Sequence, residues 1–320
     1  MPRDAVVRLP QVQPMLATTG TLPARIEEWA LEIKYDGART ICYLDGSGLK
    51  LLTRNGNDVT DRYPELAELK DLLGGRTAIL DGEVIAPDAA GRPSFSRLQE
   101  RMMLTRAQTI RTVAAKVPVN LMLFDLLWLD GRSTIGADGL TYRGRRELLE
   151  SLPLDGTRVL VPPAWPGTAA EEAVDFTRDL GLEGVIAKRL MSPYIQGRRS
   201  RDWIKYKHVK SLDVTVVGWV PTGNTVKALL MAVPEGKGLR YVGAVGTGFS
   251  DAERRALAAL LERLAVPDSP LTSGRAPDRG QPVRWVRPEI HGEVEFLEFT
   301  QSSELLRHPV WKGLRGPWRE

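Results

Sequence analysis

A lysine flanked by charged residues at alternate positions is the first feature of the sequence that could do chemistry. Apolar and charged residues alternate through residues 31–36, so a strand there would place Glu32, Lys34 and Asp36 on one face. A glycine then interrupts the run and Arg39 follows, which gathers polar groups near a turn. The spacing alone supports two interpretations equally, a functional lysine and a solvated edge strand, because alternation and lysine are both common.

Two further lysines lie in the most basic segment of the chain, residues 198–210. A strand through this segment would place Lys205 and Lys207 on the same face, with their ammonium groups about 7 Å apart. Two parallel lysines repel each other unless an anion lies between them, and phosphate is the natural candidate. The arginines beside this pair are candidates for contacts with nucleic-acid phosphates: Arg198, Arg199 and Arg201.

Carboxylates occur in two apolar strand patterns. Asp81 and Glu83 share one face of a strand predicted over residues 77–86, an arrangement that suits a metal ion or a pair of ribose hydroxyls. A solvated strand is the alternative interpretation. Asp125 interrupts the apolar run 119–129, which is typical of a buried strand, so we expect this carboxylate to have a partner.

Composition limits the class of protein. The chain has 320 residues, 42% of them hydrophobic and 26% charged, as in a globular protein long enough for two domains. Its formal charge of +4 is compatible with a polyanionic partner. The single cysteine, Cys42, excludes an intrachain disulfide and a thiolate zinc cluster. No signal-peptide core or long apolar run occurs, so we expect no membrane association and a cytoplasmic location.

The order of predicted elements gives an α+β fold. A helix over residues 142–150 carries Arg143, Arg145 and Arg146, which we assign to a solvated face rather than to DNA contact. Capping boxes predict helix starts at Thr168 and Ser250. From residue 212 onward, short strands with one interposed helix are the pattern of a small β-barrel such as the OB-fold. We therefore predict two domains, 1–210 and 211–320.

Six ordered motifs resemble those of ATP-dependent DNA ligases, which belong to the covalent nucleotidyltransferases. The match spans about residues 11–315 and is most similar to the short bacterial ligases of end joining. The motifs are Lys34-x-Asp36-Gly37-x-Arg39, Arg54-Asn55-Gly56, Asp81-Gly82-Glu83, Phe124-Asp125, Glu183-Gly184-Val185-Ile186-Ala187-Lys188 and Trp203-Ile204-Lys205-Tyr206-Lys207. Any one of them occurs by chance, but the ordered set does not.

The resemblance implies a role for each matched residue. Lys34 is similar to the nucleophile that takes AMP, and Glu32 to the residue that helps to select adenine. Phe124 is similar to the aromatic that stacks on the base, although a core aromatic is the alternative. Further roles implied are ribose and strand-end organisation for Arg39 and Glu83, positioning of the site for Asp36, metal binding for Glu83 and Glu183, phosphate contact for Lys188, Lys205 and Lys207, and contact with the 5′-phosphate of a nick for Arg54.

The resemblance also implies the fold and the activity. An adenylation domain of antiparallel sheets with flanking helices would precede the OB-fold domain. The enzyme would use ATP and Mg²⁺, or Mn²⁺ in its place, to seal nicked double-stranded DNA in repair and recombination. A monomer with a Ku-like end-binding partner is expected. Two alternatives stay open: an RNA ligase or capping-type nucleotidyltransferase, and a DNA-binding relative with a weakened active site.

The C-terminal motif departs from the family pattern. Such ligases usually carry an arginine followed shortly by Asp-Lys, on the barrel domain, to orient pyrophosphate in the first step. Arg315 fits the arginine, but Gly316-Pro317-Trp318 follows it in place of an Asp-Lys pair. This difference concerns lysine adenylation and leaves the later steps unaffected.

Overall fold

The computed structural model describes residues 9–136, 138–274, 282–300 and 304–316. Contacts divide the chain into two compact units, Met1–Lys207 and His208–Glu320. In the described part of the chain, no helix has the length and apolar character needed to cross a membrane.

The first unit is built from two sheets with helices packed around them. Its strands are β1 (Leu16–Thr19), β2 (Trp29–Ile33), β3 (Ala38–Asp45), β4 (Gly48–Thr53), β5 (Ala78–Ile85), β6 (Asn120–Leu129), β7 (Arg132–Ser133), β8 (Val159–Leu160), β9 (Trp165–Pro166), β10 (Gly184–Arg189) and β11 (Arg199–Lys207). Its helices are α1 (Glu68–Leu72), α2 (Phe95–Met102), α3 (Ala107–Lys116), α4 (Tyr142–Glu150) and α5 (Ala170–Asp179).

The five-stranded sheet has the order β1-β11-β10-β2-β9, and the six-stranded sheet has the order β4-β3-β5-β6-β7 with β8 beside β6. Most neighbouring strands pair antiparallel, as predicted. The β1–β11 and β6–β8 pairs are parallel. Each of these two exceptions joins strands that are far apart in sequence, so local hairpin signals could not indicate it.

The chain passes from one sheet to the other directly after β2, because β2 and β3 belong to different sheets. We predicted that the strand would include Lys34, but it ends at Ile33. The Lys34 N–H instead donates to the Gly184 carbonyl at 2.9 Å. At Gly37 an added Cβ would lie 2.3 Å from the Val84 carbonyl oxygen, so only glycine lets the connection approach β5 this closely.

Helix α4 supplies buried cations to both sheets, so the predicted solvated arginine face is wrong for two of its three arginines. Arg145 is 0% and Arg146 6% exposed, whereas Arg143 is exposed. Arg145 donates to both oxygens of Asp125 in β6, at 2.7 and 3.0 Å. Arg146 lies 3.5 Å from Glu32 in β2. The helix therefore ties the two sheets together through charge, and Arg145 is the partner expected for Asp125.

The two predicted capping boxes had different outcomes. Ser250 caps its helix as predicted: its hydroxyl accepts from the Glu253 N–H at 3.2 Å, and Glu253 accepts from the Ser250 N–H at 2.8 Å. At Thr168 the prediction is wrong, because a 3₁₀ turn covers Gly167–Ala169 and α5 begins at Ala170 without a side-chain cap. Gly167 packs tightly on Ile26, since a Cβ at position 167 would lie 1.7 Å from the Ile26 carbonyl oxygen. The turn therefore requires glycine at this position.

The second unit is β-rich with one long helix among its described residues. Its elements are β12 (Lys210–Thr222), β13 (Thr225–Glu235), β14 (Gly238–Val245), α6 (Asp251–Arg263), β15 (Ala265–Val266), β16 (Arg284–Phe296) and β17 (Val310–Arg315). The sheet order is β14-β13-β12-β16-β15, with β17 paired to β16. Apolar residues of these strands bury a separate core with α6. The α+β class predicted for the chain is confirmed.

The Asp125–Arg145 pair should be a major contributor to the stability of the first unit. Arg145→Ala leaves a fully buried carboxylate without its cationic partner, so we expect a loss of about 3–5 kcal/mol in the free energy of unfolding, measured by urea denaturation. Arg143→Ala, an exposed change on the same helix, should cost less than about 0.5 kcal/mol. The double variant Asp125→Leu with Arg145→Met should be more stable than Arg145→Ala. If Arg145→Ala lowered the free energy of unfolding no more than Arg143→Ala does, the Asp125–Arg145 pair would not be a major contributor to stability.

Candidate functional site

A cleft of about 240 Å³ in the first unit contains most of the predicted site residues. Its walls come from both sheets, on either side of the connection that carries Lys34. The predicted residues that line it are Glu32, Lys34, Arg39, Arg54, Glu83, Phe124, Lys188, Arg199 and Lys205. Residues separated by up to 173 positions, from Glu32 to Lys205, therefore meet around one space.

Lys34 forms an ion pair with Glu183. Its Nζ donates to Glu183 Oε2, and the Lys207 Nζ lies 2.6 Å from Glu183 Oε1. Burial opposes ionisation of this carboxyl, but the two lysines hold the pKa of Glu183 below its ordinary value. Burial, reinforced by Lys34 and neighbouring cations, also lowers the pKa of Lys205. The arrangement concentrates positive charge at the cleft, where an anion could bind.

Arg39 is held by a fully buried carboxylate. Asp81, 0% exposed, accepts from Arg39 Nε and Nη2 at 2.5 Å each. The Tyr194 hydroxyl donates to the same carboxylate at 2.6 Å and accepts from the Met15 N–H at 2.9 Å. Asp81 is thus the counter-ion of Arg39 and lies inside the protein, not on a solvated strand face. Tyr194 carried no sequence signal, because its partners lie far away in the chain.

A second buried network surrounds Glu32. Lys188 Nζ lies 2.6 Å from Glu32 Oε2, and the Tyr142 hydroxyl donates to Glu32 Oε1 at 2.5 Å. Lys188 is 1% exposed, and burial lowers its pKa. Its ammonium also lies 4.4 Å from the Phe124 ring centroid and 4.3 Å from that of Trp203. The structure therefore places Lys188 against Glu32 and two aromatic rings, whereas Lys207 lies with Lys34 at Glu183.

Phe124 is half-buried and contacts both the core and the cleft. It packs against the cluster that contains Trp203, with the two ring centroids 6.3 Å apart in an edge arrangement. The Arg39 guanidinium lies 4.6 Å from its centroid. The core and base-stacking interpretations of this residue are thus compatible.

Glu83 lines the cleft beside Arg39 and Lys34. Burial raises the pKa of Glu83 to about 7, against the opposing effect of these two cations. In the described parts of the chain, no group of three or more His, Cys, Asp or Glu residues could hold a metal ion by itself. Glu83 and Glu183 would therefore need substrate oxygens to complete a Mg²⁺ site, and this is the usual way in which Mg²⁺ binds.

The four predicted DNA-contacting arginines lie at the surface of the first unit. All four are exposed, and Arg54 and Arg199 also line the cleft. Arg199 donates to the Ala17 carbonyl. In the second unit, Arg315 lies in β17 and contacts Glu293 and Asp213.

Comparison with known proteins gives two family matches. The family described as "ATP dependent DNA ligase domain" matches residues 14–207, and "ATP dependent DNA ligase C terminal region" matches residues 222–316. The multifunctional non-homologous end joining protein LigD of Mycolicibacterium smegmatis is 38% identical over 307 residues, which are 94% of this chain and 38% of that protein. The LigD of Mycobacterium tuberculosis H37Rv is 37% identical over 315 residues, 97% of this chain and 39% of that protein. The chain spans about two fifths of the length of these relatives.

Solved structures give the same result over the whole chain. The ligase domain of M. tuberculosis LigD is 37% identical, with a TM-score of 0.55 and 95% of each chain covered. A mycobacterial DNA ligase D complexed with ATP and MES is 36% identical, with the same TM-score and coverage.

The raised pKa of Glu83 predicts a pH-dependent stability in metal-free, nucleotide-free protein. Since the folded-state pKa is about 7 and the ordinary value is 4.5, the folded protein binds a proton more readily between these values. Protonation of Glu83 therefore stabilises the folded state. This stabilisation is complete below pH 4.5 and is lost as the pH rises through 7. Relative to Glu83→Gln, wild-type protein should lose roughly 2 kcal/mol between pH 5 and pH 8.

Urea unfolding with EDTA present, at both pH values, measures this difference. Glu172→Gln, a change of an exposed glutamate on α5, is the matched control and should follow the wild-type pH dependence. Parallel curves for wild type and Glu83→Gln would contradict the raised pKa.

Proposed function

The chain belongs to the ATP-dependent DNA ligases, and from this premise we propose that it seals nicks in double-stranded DNA through a lysyl-AMP intermediate on Lys34. The observation that carries the proposal is that Lys34, which is paired with Glu183, lines a cleft together with Glu83, Arg39 and Lys205. A lysine amine among cations and carboxylates is the arrangement that nucleotidyl transfer requires.

In the first step, the Lys34 amine attacks the α-phosphorus of ATP, a P–N bond forms and pyrophosphate leaves. Lys34 must first leave its ion pair with Glu183 and lose a proton, since only the neutral amine is a nucleophile. Lys205 and Lys207 offer donors to phosphate oxygens.

Base and sugar are held at the other side of the cleft. Phe124 stacks on adenine, and Glu32, fixed by Tyr142 and Lys188, accepts from the adenine amine. Arg39, held by Asp81, contacts the ribose. Because these side chains are already locked by buried partners, little conformational entropy is lost when ATP binds.

Glu183 and Glu83 would hold Mg²⁺ at this site, together with oxygens of the substrate phosphates. When bound, it supplies neutralisation of phosphate charge and of the leaving pyrophosphate. Glu183 would then serve both the metal ion and the resting ion pair with Lys34. Mn²⁺ would suit the same oxygen ligands.

In the later steps, the AMP passes from Lys34 to the 5′-phosphate of the nick with cleavage of the P–N bond. The 3′-hydroxyl then attacks that phosphate and AMP leaves. Exposed arginines supply phosphate contacts: Arg54 at the 5′-phosphate and Arg198, Arg199 and Arg201 along the duplex. The affinity for DNA should therefore fall steeply as the salt concentration rises.

Several finer assignments belong to the same proposal. Residues 1–210 form the adenylation domain and residues 211–320 an OB-fold domain, which the division of contacts near Lys207 supports. The protein acts as a cytoplasmic monomer in end-joining repair and recombination with a Ku-like end-binding partner. If the protein did not retain a Ku-like protein in a pull-down at low salt, this partner assignment would be wrong.

Incubation with ATP labelled on the α-phosphate tests the central step. Wild type with Mg²⁺ should acquire label that nicked DNA then releases, and Lys34→Ala should lose at least about 10³-fold of the labelling rate because the nucleophile is gone. Lys50→Ala, a change of an exposed lysine in β4, is the control and should label like wild type.

Unlabelled GTP should not compete with ATP at equal concentration, whereas effective competition would favour a capping-type enzyme. DNA binding without any covalent label would favour the weakened relative.

A further inference from the structure

A polar groove of about 440 Å³ lies beside the nucleotide cleft in the first unit. It is bounded by the segment before β1, by β3 and by the turn after β4. Leu16 and Arg54 line both the groove and the cleft, so the two spaces meet at these residues. The polar side chains at the groove are Gln11, Gln13, Tyr43, Thr53, Arg54 and Asn55.

The chemistry of the groove suits a polyanion. None of the residues that line it is acidic, and its cation is Arg54. Gln11, Gln13 and Asn55 are exposed amides, which can donate to phosphate oxygens and also accept from sugar hydroxyls or bases. Within the described parts of the chain, these three amides and Arg54 have no side-chain hydrogen bond or ion pair with protein. Their donors are available to a ligand.

Backbone contacts hold the segment that carries Gln13. The Gln13 N–H donates to Gln196 Oε1 at 3.2 Å, and the Gly197 N–H donates to the Gln13 carbonyl at 3.3 Å. Gly197 has a φ of +66°, and a Cβ there would lie 2.3 Å from the Gln13 side-chain oxygen. The glycine therefore leaves room for this amide at the edge of the groove, immediately before the basic residues Arg198 and Arg199.

We propose that this groove binds the sugar–phosphate backbone of the DNA strand that begins at the 5′-phosphate of the nick, with Gln13 and Asn55 as contacts. The inference rests on the proposed function, in which Arg54 meets that 5′-phosphate. Because Arg54 lies at the junction of cleft and groove, the nucleotides that follow the 5′-phosphate continue into the groove. Neutral amides there fix the register of the strand, as side-chain amides commonly do at phosphates.

The test separates the DNA steps from the ATP step. Gln13→Ala with Asn55→Ala, and the isosteric pair Gln13→Glu with Asn55→Asp, are compared with Gln108→Ala, a change of an exposed amide on α3. Sealing is measured on nicked DNA whose 5′-phosphate already carries AMP, and binding on a nick that lacks the 3′-hydroxyl. Lysyl-AMP formation from labelled ATP is measured separately.

The alanine pair should raise the KM for the adenylated nick about 10-fold and weaken nick binding similarly, since two neutral hydrogen bonds are lost. The acidic pair should raise the KM further and weaken nick binding further, because its carboxylates repel phosphate. In the alanine pair, lysyl-AMP formation should stay within about twofold of wild type. The dependence of nick affinity on salt concentration should also be unchanged in this pair, because no cation is removed.

Wild-type KM and nick affinity in the alanine pair would overturn the groove assignment. So would a parallel loss of lysyl-AMP formation, which would connect these amides to the ATP step. Failure of the wild-type protein to form lysyl-AMP would refute the proposed function instead, and the binding measurement would still decide whether the groove holds DNA.

Discussion

The position of Lys34 depends on a crossing of the chain between two sheets. β2 pairs with β10 in one sheet and β3 pairs with β5 in the other, and the connection between them has space only for glycine at position 37. Lys34 therefore lies between the two sheets, and residues of both line the cleft around it.

Buried charge sets the geometry around this crossing. Asp81 holds Arg39, and Asp125 holds Arg145. Such pairs are costly to desolvate, and they are weak grounds for stability by themselves. Their value here is orientation, because a bidentate carboxylate leaves a guanidinium little freedom. The ion pairs thus keep the side chains that we propose to bind the ligand in place before it arrives.

The Glu183 pair differs from these because its carboxylate is only partly buried and joins two lysines. Both lysines line or adjoin the cleft, and the carboxylate they share is the proposed metal ligand. The carboxylates of these pairs differ in exposure: the Asp81 and Asp125 side chains are 0% exposed, whereas the Glu183 side chain is 18% exposed. A partner that must exchange has to remain accessible to solvent and substrate.

The sequence by itself determined the motifs and much of the secondary structure. Helix α4, strand β6 and the capping box at Ser250 follow from local periodicity and local hydrogen bonding, which depend on neighbours a few residues away. The family motifs also brought the site residues together as a set, since their order in the chain is characteristic.

Only the tertiary structure decided which charges are paired. The arginines of α4 look like a solvated face in sequence, because helical periodicity does not show what packs against each side, yet two of them are buried. Tyr194 joins the Asp81 network from 113 residues away, and the parallel β1–β11 pair spans most of the first unit. These contacts arise from packing between distant segments, whose energies depend on burial and geometry that no local pattern encodes.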